Sequence, residues 1–207
     1  FTAGNKPVYR RPPPDRVVDF CEKHGLNMNG HCLVWDNGKH SIPDWLSDAT
    51  SCQPLLERRI RQLGERYGER IPRWDVLNEA LSRAKLGHQA NLHEMPPDYE
   101  HLAFELAGRY LPSSAHLMIN ETTGAAWLDE NRPFFHNLIR SLRGRGAKID
   151  GIGLQWHLFG LDQQQRLLDG DWLSPPSMLD SLDEYAEHGL PLHISEITLH
   201  SMADDAA

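Results

Sequence analysis

Long apolar runs are missing from this 207-residue chain. None approaches the ~20 residues that a membrane helix needs, so no spanning segment and no membrane partner are expected. An excess of positive charge is missing too. The 21 Lys and Arg lie scattered among 29 Asp and Glu, for a formal charge of −8 and a pI near 5.8. That leaves no basic stripe for a polyphosphate backbone and argues against a nucleic-acid partner. Cysteine is scarce: Cys21, Cys32 and Cys52 stand without CxxC spacing or a paired His motif, so they read as buried free thiols rather than a zinc site or disulfide framework. The opening FTAGNKPVYRRPPP lacks the charged and apolar regions of a signal peptide. His88, His93, His101, His188 and His193 show no HExxH or related spacing and read as surface or loop residues. No Gly-rich phosphate loop follows a strand. Neither a metal nor an organic cofactor is expected.

What is present is ordinary globular material, 40% apolar with unremarked Pro and Gly content, and it reads as one domain over residues 1–207. Short apolar runs alternate with longer amphipathic stretches: LNMNGHCLVW, RWDVLNEAL, HLMINE, IDGIGLQWHL and PLHISEITL. That rhythm indicates parallel βα units. Ser47 reads as the start of a helix reaching about Tyr67, and Ser177 as the start of one that stops at Gly189. Two architectures are built from such units, the open doubly wound sheet and the closed (β/α)8 barrel. In each run the polar residues gather at the carboxyl end, as in His31 to Trp35, Asn78 to Glu79, Asn120 to Glu121, Gln155 to His157, and Glu196. Chemistry presented by successive strands at one rim indicates a barrel mouth. A complete barrel takes about 250 residues, so this is expected to be an incomplete TIM barrel, with five clear strands and the tail of a sixth in residues 1–7. Segments 80–96 and 158–175 are long enough to be rim loops.

Two carboxylates facing one another across a polar cleft can cleave a glycosidic bond, one protonating the departing oxygen while the other attacks the anomeric carbon. Glu79 and Glu196 end otherwise apolar strands and form the candidate pair, against the alternative of a buried structural ion pair. Asn78-Glu79 offers an amide for a sugar hydroxyl beside an acid. The same dipeptide recurs as Asn120-Glu121, and spacing alone does not decide which holds the acid. Asn120-Glu121-Thr122 is a formal glycosylation sequon of a kind that arises often by chance. Trp45, Trp74 and Trp156 read as core or rim packing.

The run GHCLVWD, followed by IPDWL, RWDVLNEAL, HLMINE, IDGIGLQWHL and PLHISEIT, resembles in order the signature segments of glycoside hydrolase family 10, the endo-β-1,4-xylanases, over roughly residues 1 to 200. The resemblance implies an eight-stranded βα barrel with strands 2/3 to 7 present and strands 1 and 8 without counterpart here. It implies Glu79 as acid/base, Glu196 as nucleophile, His31 and Trp35 gripping the sugar beside the scissile bond, and Asn78 on its 2-hydroxyl. Gln155 and His157 match a pair near the nucleophile, and Asn120 joins the substrate-binding set. Asn5 and Lys6 correspond to a family Asn and Lys for the distal sugar, at shortened spacing. Two departures stand out: Asp36 where the family has His, implying an altered rim contact, and Thr198 where it has Asp, implying that the partner orienting His157 is absent. A retaining double displacement on xylan or xylo-oligosaccharides follows as the expected activity, with secretion or periplasmic export implied by the size of the substrate, and a monomer as the simplest state. Another β-glycanase of the same barrel clan, or a sugar-binding relative without turnover, are the alternatives.

Overall fold

The computed structural model describes residues 14–37, 52–81 and 95–199, together with the backbone of 2–3 and 6–7. Ser47, Trp45, Asn5, His88, His93 and most of segment 80–96 lie outside the described residues, as does the side chain of Lys6. A two-stranded antiparallel ribbon, β1 (Thr2–Ala3) with β2 (Lys6–Pro7), opens the chain. It corrects the expectation of a sixth parallel strand there, because it pairs only with itself among the described residues.

The five apolar runs form one parallel sheet in chain order: β3 (Asn29–Trp35), β4 (Arg73–Asn78), β5 (His116–Glu121), β6 (Gly151–His157) and β7 (Leu192–Thr198). Helices cross between them: α2 (Gln53–Tyr67) before β4, α3 (Tyr99–Tyr110) before β5, α4 (Thr123–Trp127) and α5 (Arg132–Gly144) before β6, α6 (Leu161–Leu168) and α7 (Pro175–Ala186) before β7. A further helix, α1 (Pro14–His24), precedes β3. Parallel strands need such crossovers, and β4, β5 and β6 are buried almost end to end.

The helices seat on the sheet through stripes at helical spacing. In α2 the stripe is Leu56, Ile60 and Tyr67; in α5 it is Phe135, Ile139 and Leu142. Ile60 and Ile139 are 0% exposed in the core shared with Val76, Leu117 and Ile152. Truncating either to Ala removes about 2 to 5 kcal/mol. Trp74 and Trp156 pack in this core as expected, Trp156 edge-on against Trp127.

One helix boundary differs from expectation, and one expected loop holds a helix. The first turn of α7 is capped by Ser174, whose side chain accepts from Ser177 N, because Pro175 and Pro176 hold the φ that a first turn needs and put Ser177 inside the helix. Segment 158–175 is not a plain loop, since it contains α6. Two histidines also depart from the surface reading. His188 is 9% exposed, with Nε2 at 2.7 Å from Nδ1 of buried His136, and His193 lies half-buried within β7.

Candidate active site

Asn78, Glu79, Asn120, Gln155 and Glu196 come from the carboxyl ends of β4 to β7, and their side chains form one hydrogen-bonded chain. Gln155 Nε2 donates to Glu79 Oε1 at 3.1 Å and to Asn78 Oδ1 at 3.4 Å. Asn120 Nδ2 donates to the same Asn78 Oδ1 at 2.8 Å and to Glu196 Oε1 at 2.6 Å. Trp35 Nε1 donates to the other oxygen of Glu79 at 2.9 Å, and His157 Nε2 lies 3.3 Å from Glu196 Oε2. Two carboxylates are thus held in one polar network by amide, indole and imidazole groups, while Asn78, Asn120 and Gln155 are almost fully buried beneath them.

A regular strand sends alternate residues to opposite faces, so neighbours such as Asn78 and Glu79 would not ordinarily meet in one site. Three local devices bring them there. The register with β5 shifts between Asp75 and Leu77, an irregularity that lets Asp75 and Asn78, three apart, serve the same side. Glu79 follows with φ of 55°, the left-handed region, which turns its side chain back beside Asn78. In β7 the register shifts between the pairs Leu154/Ile194 and Gln155/Glu196, so adjacent Ser195 and Glu196 both reach Asn120.

His31 sits where two acids converge. Its Nδ1 donates to Asp75 Oδ2 at 2.9 Å and lies 3.9 Å from Glu196 Oε1. Asp75, 1% exposed, also accepts from Asn29 Nδ2 at 2.7 Å. The bond to Asp75 raises the His31 pKa above the ordinary imidazole value against its partial burial, with Glu196 and Glu79 adding to the effect. An imidazole raised in pKa by its acid neighbours therefore belongs to this site.

Burial sets Glu121 apart from Glu79. Glu121 is 0% exposed and accepts from the backbone N–H of Leu81 at 2.7 Å and of Thr122 at 3.1 Å. Desolvation pushes its pKa up to about 8. It braces the turn behind Glu79 and offers nothing to a ligand.

A family model for glycosyl hydrolase family 10 matches residues 6–206. The chain belongs to glycosyl hydrolase family 10. It is 27% identical over 205 residues to a β-1,4-xylanase of Dictyoglomus thermophilum, covering 93% of this chain and 51% of that protein. The GH10 xylanase of Thermobacillus composti superposes with a TM-score of 0.71 at 26% identity, over 98% of this chain and 58% of that one. Xylanase 10B from Thermotoga petrophila RKU-1, in complex with xylobiose, does so with a TM-score of 0.68 at 26% identity, over 94% and 57%. The chain spans between half and three-fifths of the length of these relatives. The family fold is the (β/α)8 barrel, of which the five-stranded sheet is a part.

Within this family 10 chain, both departures noted in the sequence have a structural outcome. Asp36 is buried at 5% exposure just beyond β3, not displayed at the rim. Thr198 does not leave His157 without a partner: its Oγ1 lies 2.8 Å from His157 Nδ1. A hydroxyl can donate or accept, so it satisfies either form of the ring.

Some supporting residues were missed by the sequence reading. Asp75 carried a usable signal, an acid inside the apolar run RWDVLN. Thr123 carried none, yet its Oγ1 accepts from His157 N at 2.7 Å and donates to Gln155 O at 3.2 Å. Trp127 Nε1 donates to the same carbonyl at 2.9 Å. The cysteines carry no chemistry of this site: Cys52 is buried, Cys21 and Cys32 are half-buried, none forms a disulfide, and burial pushes the Cys32 thiol up to about 12.

Proposed function

We propose that this chain carries the catalytic carboxylates of a retaining endo-β-1,4-xylanase, with Glu196 as nucleophile and Glu79 as acid/base. The observation that carries the reading is the shared network that holds Glu79 and Glu196 at the ends of β4 and β7 while Glu121 is sealed beneath. The names of the xylanase relatives and the xylobiose complex support the substrate class. Glu196 attacks the anomeric carbon as Glu79 protonates the leaving oxygen. Glu79 then takes a proton from water, which opens the glycosyl-enzyme. Configuration is retained, and a carboxyl separation of about 5 to 5.5 Å is expected with ligand bound. The reaction draws on carboxylates and water alone.

The supporting roles follow from the contacts. Asn120 and His157 each contact one oxygen of Glu196, which fixes the carboxylate for in-line attack. Asn78 commits its Oδ1 to two amide donors, so its NH2 end is the one offered to a sugar hydroxyl. His31, 38% exposed and raised in pKa by Asp75, presents its ring to the same sugar. Trp35 and Gln155 each donate to Glu79, and Asn5 with Lys6 are proposed for a more distant sugar. A polymer too large to enter a cell places the reaction outside the cytoplasm; no helix among the described residues is long and apolar enough to cross a membrane. The chain is proposed to act as a monomer.

The test is release of reducing sugar from β-1,4-xylan by the protein and by Glu196→Ala, with the first product followed by NMR. Initial β-product that vanishes in the variant supports the reading. Faster turnover of β-glucan than of xylan moves the assignment to another glycanase of the clan. Binding of xylo-oligosaccharide by a folded protein with no hydrolysis makes it a sugar-binding relative.

A further inference from the structure

Phe159 is 68% exposed and is nonetheless fixed in place. Its ring stacks on His157, with centroids 4.7 Å apart and planes 19° apart. Its N–H donates to Gln163 Oε1 at 2.9 Å, and Gly160 N donates to the same oxygen at 3.1 Å, so a side chain in the first turn of α6 reaches back to clasp the loop. The preceding Leu158 is fully buried, and its N–H bonds Thr198 O at 2.9 Å. With one ring face against His157, the exposed area lies on the other face and the edge. A surface apolar side chain standing singly needs no explanation. This ring differs because its backbone and inner face are already ordered, so a ligand stacking on it meets little further ordering cost. It also stands one ring away from Glu196, since His157 Nε2 lies 3.3 Å from Glu196 Oε2.

We infer that Phe159 is a platform for a xylosyl ring on the leaving-group side of the scissile bond, and so selects for chains that extend past that bond. The inference rests on the proposed roles of Glu79 and Glu196. The chemistry of the sugar supports the occupant. A β-linked xylopyranose carries its hydroxyls equatorially and has no hydroxymethyl arm, so axial C–H groups line both of its faces and suit the negative face of an aromatic ring. Strand order supports the side. His31 on β3 and Asn78 on β4 are proposed for the sugar that Glu196 attacks, with Asn5 and Lys6 for a more distant one. Phe159 follows β6, across β4 and β5 from that flank. A sugar chain that enters over β3 and passes Glu79 therefore leaves over β5 and β6.

The test compares two substrates with the same xylobiosyl glycone. Xylobiosyl fluoride places a single atom beyond the scissile bond, whereas xylotetraose cleaved at its central bond places two sugars there. Any loss that acts through a disturbed His157 falls on both and cancels in the ratio of their kcat/KM values. Phe159→Leu keeps apolar bulk against His157 but has no planar face. It is expected to lower the ratio of xylotetraose to fluoride by about 10-fold, and Phe159→Trp to restore it. In NMR of Glu196→Ala with xylotetraose bound, Overhauser contacts are expected between the Phe159 ring protons and axial sugar protons. Equal loss on both substrates makes Phe159 a packing residue for His157 and overturns the inference. No loss on either, a greater loss on the fluoride, or bound xylotetraose without contacts to the ring overturns it as well. Ring contacts to xylotetraose in a protein that turns over neither substrate leave the platform standing and overturn the proposed function instead.

Discussion

Glutamine at position 121 should flatten a large part of the pH dependence of stability. Glu121 is 0% exposed and its pKa is raised to about 8 from 4.5, chiefly by desolvation and against the pull of the Leu81 and Thr122 N–H groups. Below pH 4.5 the carboxyl is protonated in the folded and unfolded chains alike. Between pH 4.5 and about 8 the unfolded chain releases this proton and the folded chain keeps it, so stability falls as pH rises through that window. Three and a half units at about 1.4 kcal/mol each come to about 5 kcal/mol, a large part of the roughly 5 to 15 kcal/mol that holds a domain together. Glu121→Gln mimics the protonated form and cannot ionise. Urea unfolding of both proteins at steps from pH 4.5 to 8.5 gives the test, with the variant gaining on the parent by about 5 kcal/mol across the range. The contribution of His31 with Asp75 runs the same way, present below the unfolded imidazole value and lost as pH rises through the raised folded one. It is common to both proteins and cancels in the difference. Parallel stability curves would refute the argument, because they would mean that Glu121 reaches water when charged.

Further outcomes follow from single contacts. A Cβ on Gly153 would stand 2.4 Å from Asn120 Oδ1 and 3.2 Å from Ser195 Cβ, so Gly153→Ala should displace Asn120 from Glu196, lower stability by about 1 to 3 kcal/mol and depress xylan turnover in the same variant. Unchanged melting and activity would mean that Asn120 has room to move. Trp35→Phe keeps an aromatic ring but removes the donor to Glu79 Oε2, and kcat/KM on xylan is expected to drop roughly 10- to 100-fold. Burial lowers the pKa of His188 to about 4, with the adjoining His136 adding to it. Its contribution is full above the unfolded imidazole value of ~6.5 and lost as pH falls toward 4. Melting curves from pH 7 to 4 should therefore fall less steeply for His188→Gln than for the parent.

The strands could be read from the sequence because each is a short apolar run ending in polar residues, and a buried parallel sheet allows little else at those positions. The carboxylates could be read as well, since an acid closing such a run has few reasons to be there. What stayed hidden depends on half-turns of the chain. An extra residue in β4 or β7 leaves composition and periodicity almost untouched, yet it decides that Asp75 joins Asn78 and that Ser195 joins Glu196. Asn120-Glu121 looked equivalent to Asn78-Glu79 because both end a strand. The difference is the direction of the last side chain: Glu121 accepts from the backbone of Leu81 and Thr122, whereas Glu79 turns toward Trp35 and Gln155. His188 lies in a turn, as read, but its burial stayed hidden because its partner, His136, is 52 positions away.

The left-handed backbone at Glu79 bears on how the protein would drift under selection. A side chain other than glycine held at φ 55° carries about 1 to 3 kcal/mol of strain. Selection for thermal robustness alone would discard this glutamate: Glu79→Gly relieves the strain and should melt higher than the parent, while losing whatever the carboxylate does for a sugar.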